Sequence, residues 1–510
     1  MQFRYRFLGL LLAVFAGLIS APRVLAQSDA ESHLQHGLDL AHAGQLSGAE
    51  AELQQATKLA PRNPDTWGAL GIVLAMQHKL PESTEAFRKA VKLDSTNLTT
   101  RRYLAANLWQ LHQYPEAKTN LQIILKAKPD DSATKLLFGM VSENGGDYTT
   151  AARMLASVPD EVRKQPESIA ALARSYYHLQ QKEKARAALA QLSPTGVQAT
   201  FLGAQIADEM QDFETARGLL ASIRATYPDH MKLESTLAQV AYHAGQFAEC
   251  ESILQGLFTS GNQTAPTLNL QGWCYHKQGK SSEAVESLKQ AISLAPTEET
   301  NYLDLTRILV EQNSLPRALE LAKHTTEIFP TSSEAYESRG LVEAGMSQFT
   351  DAIESYTYAS QIDPLRSNSL LGLAQAQASA GLTKEAFSNF EAGSKKFPKD
   401  ARFKNFYAAV LLKQADSGDT QAEAHANQLL REALALDPSL SDAHYQLGNL
   451  ALKHDQVAEA EKHFEKVIRL EPNNVQAHFA LASVYRRLGR QEDATREMKQ
   501  YEELKGADSQ

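Results

Sequence analysis

The chain has 510 residues, 51 Lys and Arg against 60 Asp and Glu, a formal charge of −9 and 7% aromatic residues. Affinity for phosphate backbones comes from clustered cations, and with no basic stripe in view this balance argues against a nucleic-acid partner. Ala, Leu, Gln, Glu and Lys abound and no long run of Val, Ile and Thr occurs, so an all-α chain is expected.

Residues 1–26 stand apart. Arg4 and Arg6 precede an apolar stretch from Phe7 to Ser20, followed by Pro22 and the small-residue site Val24-Leu25-Ala26. This is the three-part plan of a secretory signal peptide, with the mature chain, 27–510, expected to begin at Gln27. An uncleaved anchor is the competing reading, but about 14 apolar residues fall short of the roughly 20 that span a bilayer, and Pro22 would break the helix. With no second apolar span, no transmembrane segment is expected in the mature chain. It should be exported, periplasmic or secreted.

Beyond residue 30 the chain has a beat. Pro61, Pro129, Pro228, Pro296, Pro330, Pro364, Pro398, Pro438 and Pro472 each close a unit, and units begin near residues 30, 64, 98, 132, 166, 197, 231, 265, 299, 333, 367, 401, 441 and 475. Between 197 and 401 the step is 34 residues every time. Counting within each unit, the second supplies Trp67 at position 4, Leu70 at 7, Gly71 at 8, Leu74 at 11, Phe87 at 24 and Ala90 at 27. The eighth supplies Gly272, Tyr275, Ala284, Leu288, Ala291 and Pro296, and the thirteenth Leu447, Gly448, Ala460, Phe464 and Pro472.

In these residues the chain resembles the tetratricopeptide-repeat family, whose signature has large residues at 4, 11 and 24, Leu at 7, small residues at 8, 20 and 27, and Pro at 32. The resemblance implies a right-handed α-solenoid of about fourteen helix-turn-helix repeats. Small side chains at 8, 20 and 27 let two antiparallel helices approach closely, and the large ones fill the gap between them. A lone pair cannot bury both faces, so neighbours must stack. The fourth unit closes early at Pro159 with a short second helix. The twelfth runs six residues longer than the 34-residue step, and Asp416-Ser417-Gly418-Asp419-Thr420 reads as a longer loop between its helices.

No constellation for catalysis emerges. There is no phosphate-binding Gly loop, His-Glu-x-x-His motif, Gly-x-Ser-x-Gly elbow or Cys-x-x-Cys-His haem site, so no enzyme, metal or cofactor is expected. His33 and His36 lie one helical turn apart without a third ligand at a usable spacing. His444 and His478 both occupy position 4, where a large half-buried side chain is wanted, and read as structural. Cys250 falls at position 20 of the seventh unit and Cys274 at position 10 of the eighth, at matching heights on antiparallel helices. An exported chain can oxidise such a pair to a disulfide, while position 20 also accepts Cys as a small buried residue. Both readings stand.

The family resemblance further implies a concave surface lined by first-helix positions 2, 5, 9, 12 and 13, where protein or peptide partners lie. On this chain those positions offer Arg174, Tyr177 and His178 in the fifth unit, Gln205 and Asp208 in the sixth, Tyr242 and His243 in the seventh, and Asn269, Trp273, His276 and Lys277 in the eighth. Aromatic and Arg anchors suit a binding site, although amphipathic residues also simply cover an exposed face. The Lys and Asn carboxylate clamp of chaperone-binding members is missing. The expected function is a non-catalytic exported adaptor with a protein partner in the groove. A component of polysaccharide export or envelope assembly, meeting glycan or a channel, is the alternative.

Overall fold

In a computed structural model, which describes residues 29–415 and 418–507, the chain is all helix. The proposed signal segment at 1–26 lies outside the described residues. Among those described there are 29 α-helices and no strand: fourteen antiparallel pairs, from Asp29–His42 with Leu46–Leu59 to Val475–Arg487 with Gln491–Ala507, and one short extra helix, Pro159–Arg163. The pairs fall into two units, one up to Ile253 and one from Leu254. In each, a pair packs on the pair before and the pair after, the arrangement of an α-solenoid.

The sequence dictates how each pair closes. Position 20 of the second helix is fully buried where it is Ala49, Ala117, Ala151, Ala284, Ala352 or Ala460. In the second repeat it is Ser83, whose hydroxyl donates to the Gly71 carbonyl at 2.6 Å and so satisfies itself in the same tight space. Position 8 faces position 24: a Cβ on Gly272 would sit 2.8 Å from Leu288 Cγ. The helices meet at the closest approach that their backbones allow.

Several first helices start on side-chain caps: Asn97 accepts from the Thr100 N–H, Asp131 from Thr134, Ser332 from Ala335 and Asn474 from Ala477. They end on a left-handed residue at position 15. It is Gly44, Gly146, Gly245, Gly279, Gly381 or Gly489 in six repeats, but His78, His112, Gln180, Gln211, Asn313, Ser347 or Asp455, with φ of 55 to 61°, in seven others. The following N–H reaches back over the turn, as Asp212 N does to Ala207 O at 2.7 Å. This is the Schellman closure, repeated along the chain.

In several repeats position 4 ties the first helix to the turn before it. Trp67 Nε1 donates to Pro61 O at 3.0 Å, Arg101 Nη2 to Ser95 O at 3.0 Å, the Tyr302 hydroxyl to Pro296 O at 3.1 Å and His478 Nε2 to Pro472 O at 2.9 Å. Where the large residue at this position carries a donor, it fills the gap and also satisfies a turn carbonyl.

The irregular repeats differ in informative ways. The fourth has a second helix of only nine residues, Tyr148–Ala156, before Pro159–Arg163. The fifth has eight, Lys182–Leu189, and then a 3-10 turn, Ala190–Thr195. In the twelfth the extra residues do not form a loop alone. Asp419 caps a second helix of 17 residues, Thr420–Leu436, against the usual 14, so about one turn of the insertion has become helix. Five Ala within Thr420–Leu436 favour that outcome over a polar loop.

Candidate functional site

The first-helix residues singled out in the sequence divide between the two units. In the first, Arg174 Nε donates to Glu143 Oε1 at 2.6 Å, and His178 stacks on Tyr148 with ring centroids 3.8 Å apart. His243 Nδ1 lies 2.9 Å from Asp208 Oδ1. Gln205 is exposed, and Tyr242 is half-buried with its ring 5.6 Å from Phe247. Tyr177 does not face the surface at all: it is 8% exposed, and its hydroxyl donates to Asp212 at 2.9 Å. Arg186 binds the same carboxylate at 2.8 Å, so the Tyr177 hydroxyl and a guanidinium meet on Asp212.

In the second unit Asn269 donates to Asn301 and to Asp304, each at 3.0 Å, and His276 Nε2 meets Glu311 Oε2 at 2.6 Å. Trp273 is half-buried against the core of the eighth and ninth repeats, with Lys277 Nζ 5.8 Å and the Arg307 guanidinium 5.6 Å from its ring centre. Most of these polar side chains thus join first helices of successive repeats. They hold the stack in register as well as lining its face.

The same face of the second unit carries a cleft that the sequence reading did not single out. A cavity of about 530 Å³ is lined by Leu303, Arg307 and Val310 of the ninth repeat, Glu334, Glu337 and Leu341 of the tenth, Arg366 before the eleventh, Leu371 within it, and Arg402 of the twelfth. Leu341 is 56% exposed inside it. Arg366 is held by Glu334 at 2.6 Å and Glu337 at 3.1 Å, and Arg402 by Asp400 at 2.7 Å. Arg307 is looser, 61% exposed with Asp304 at 4.0 Å. Beneath, burial pushes the Tyr356 hydroxyl above its ordinary value, assisted by Glu337 and Glu343, so it stays neutral. The arrangement is a slot of mixed lining, with Leu303, Val310, Leu341 and Leu371 set among Arg–carboxylate pairs. An exposed Leu at position 9 was the available signal.

Among the described residues no group of three or more His, Cys, Asp and Glu is arranged for a metal, and no helix is long and apolar enough to cross a membrane. Among the described residues no cysteine is free, and Cys250 and Cys274 are both fully buried.

Family models described as tetratricopeptide repeat match residues 34–97 and 445–508, 265–298, and 171–193. These stretches are similar to tetratricopeptide repeats, and the helix pairs between them repeat the same antiparallel arrangement. Among individual proteins, the chain is 25% identical over 521 aligned residues to Cellulose synthase 2 operon protein C of Komagataeibacter xylinus, covering 92% of this chain and 39% of that protein. It is 23% identical over 291 residues to human Protein O-mannosyl-transferase TMTC3, covering 54% of this chain and 31% of the relative. The chain therefore spans well under half the length of either relative. The crystal structure of yeast Tom70 aligns at 16% identity with a TM-score of 0.42, over 93% of this chain and 92% of that one.

Proposed function

We propose that the protein is an exported, non-catalytic scaffold that holds an extended segment of a partner protein against the first helices of residues 299–402. The cleft there carries the reading: a half-exposed Leu341 between Arg307 on one side and Arg366 and Arg402 on the other. Arg is enriched at interface hot spots, and the exposed Leu beside it adds apolar area for a partner to cover. A photo-crosslinker at position 341 in the mature chain, followed by identification of the captured peptide, tests it. Capture of one defined segment supports the reading, and capture only from positions outside 299–402 overturns it. Recovery of a chain beginning at Gln27 from the envelope fraction tests export; intact Met1 on cytoplasmic protein refutes it.

A second reading is favoured by the likeness to Cellulose synthase 2 operon protein C along 92% of this chain. Carried over, it makes this protein a component of polysaccharide export or envelope assembly, with glycan as the ligand. Trp273 would then offer a stacking face for a sugar. Titration with cello-oligosaccharides separates the readings, because quenching of Trp fluorescence belongs to the glycan reading alone. The likeness to an O-mannosyl-transferase covers 31% of that protein and does not carry its activity to this chain.

A further inference from the structure

Four repeats join position 4 of the first helix to position 23 of the second, always 19 residues apart. In three of them a cation or donor meets an acceptor: His33 with Glu52 at 2.5 Å, Arg101 with Asn120 at 2.9 Å, and His478 with Glu497 at 2.8 Å. In the thirteenth both partners are imidazoles. His444 Nδ1 lies 3.0 Å from His463 Nδ1, and His444 Nε2 lies 3.3 Å from Pro438 O. The carbonyl can only accept, so His444 carries its proton on Nε2 and accepts on Nδ1, and His463 donates from Nδ1.

A first added proton is tolerated. It can sit on His444 Nδ1, while His463 turns acceptor there and places its own proton on Nε2, 3.9 Å from Glu459 Oε1. A second proton leaves two N–H groups and two positive charges face to face, and the bond is lost. The charged groups around the pair increase that cost. Arg431 comes from the preceding helix, Thr420–Leu436, and Lys466 and Arg469 from Val457–Leu470; Glu459 is the opposing anion and already binds Arg431 at 2.7 Å.

We propose that His444 and His463 form an acid-sensitive joint that loosens the thirteenth repeat, residues 441–470, when both rings become charged. In the first and fourteenth repeats the same place holds a carboxylate, Glu52 or Glu497, opposite the histidine. This goes beyond the scaffold reading and does not depend on it. Burial holds both rings below the ordinary value of 6.5, with Lys466 and Arg469 adding to it at His444, and His444 and Arg431 at His463. A ring that binds protons less readily when folded contributes stability that is complete above about 6.5 and is lost as pH falls through that value toward the folded one.

Hydrogen exchange of the full chain, corrected for intrinsic rates, tests the joint at about pH 7.5 and about pH 5. Residues 333–396, which contain no histidine, serve as the internal reference. Relative to them, protection across 441–470 is expected to fall about tenfold in acid, the equivalent of one pH unit of linkage. His463→Glu and His463→Asn, which install the partners found in other repeats, should keep it. Unchanged relative protection in the wild type overturns the proposal. So does an equal acid loss in both variants.

Discussion

Arg307 stands 5.6 Å over the ring of Trp273 and at the same time lines the cleft of residues 299–402. The aromatic of the eighth repeat and the slot of the next four therefore belong to one face, with a cation where they join. Its looseness matters energetically. A guanidinium already clamped by carboxylates, like Arg366, must give up partners to bind a ligand, whereas Arg307 gives up little.

Arg307→Ala and Leu341→Ala should each weaken binding of the captured segment about tenfold, or roughly 1.4 kcal/mol. Both side chains are exposed, so stability should move by no more than about 0.5 kcal/mol. Titration calorimetry with the crosslinked segment and thermal melting of the same variants decide it. Wild-type affinity in both would move the site off this face.

Tyr177 behaves as core in this structure, and its mutation separates packing from recognition. Burial alone raises the Asp212 carboxyl, but hydrogen bonds from Arg186, Tyr177 and Thr215 outweigh it and leave the group well below the usual carboxylate range. The contribution of Asp212 is thus complete above 3.8 and is lost only as pH falls below that through the folded value. Tyr177→Phe removes one charge-assisted hydrogen bond and should cost about 1.5–3 kcal/mol in denaturant melts, with partner affinity unchanged. A binding defect without a stability loss would return Tyr177 to the surface.

How much of this was legible follows from what side-chain types encode. The fourteen pairs, the small residues at position 20 and the early closure near Pro159 were written in residue size and period, which is why they could be read. The burial of Tyr177 was not, because position 12 varies along the chain: Ala41, Ala75 and Glu143 are also buried there while Arg486 is exposed, and only the partner Asp212 in the next repeat marks Tyr177 as core. The cleft at Leu341 was missed because aromatic content pointed to the fifth to eighth repeats, while the cavity depends on how Arg366 and Arg402 fold over it. The insertion at 416–420 looked like loop by its polar residues. The Ala that follow it extended the helix instead.

Close packing at glycine should show the two opposite signs of one substitution. A Cβ on Gly393 would overlap the fully buried Phe403 ring, whereas Gly218, inside Phe213–Ile223, has nothing within 4 Å. Gly393→Ala should destabilise by about 1–3 kcal/mol through overpacking. Gly218→Ala should stabilise by roughly 0.5–1 kcal/mol through helix propensity alone. Opposite shifts in denaturation midpoint are expected, and a shift of the same sign in both would contradict the packing at Phe403.

The last expectation concerns the turn between paired helices, where seven repeats force an ordinary residue into a conformation that the others give to glycine. Gln180 and Gln211, both at φ 58°, are exposed, so little is lost with their side chains. Left-handed backbone costs a residue with a Cβ roughly 1–2 kcal/mol, while glycine takes it freely. Against this, glycine gains entropy in the unfolded chain, which returns about 0.4–1 kcal/mol. The difference leaves Gln180→Gly and Gln211→Gly stabilising by about 0.5–1 kcal/mol each. The converse change, Gly245→Ala at φ 73°, meets no atom within 4 Å of its new Cβ, so its whole effect is backbone strain and should be destabilising by a similar amount. Urea melts of the three variants measure the balance. If Gln211→Gly lowers the midpoint while Gly245→Ala leaves it unchanged, strain at this position is too small to matter, and the Schellman closure tolerates any residue that reaches it.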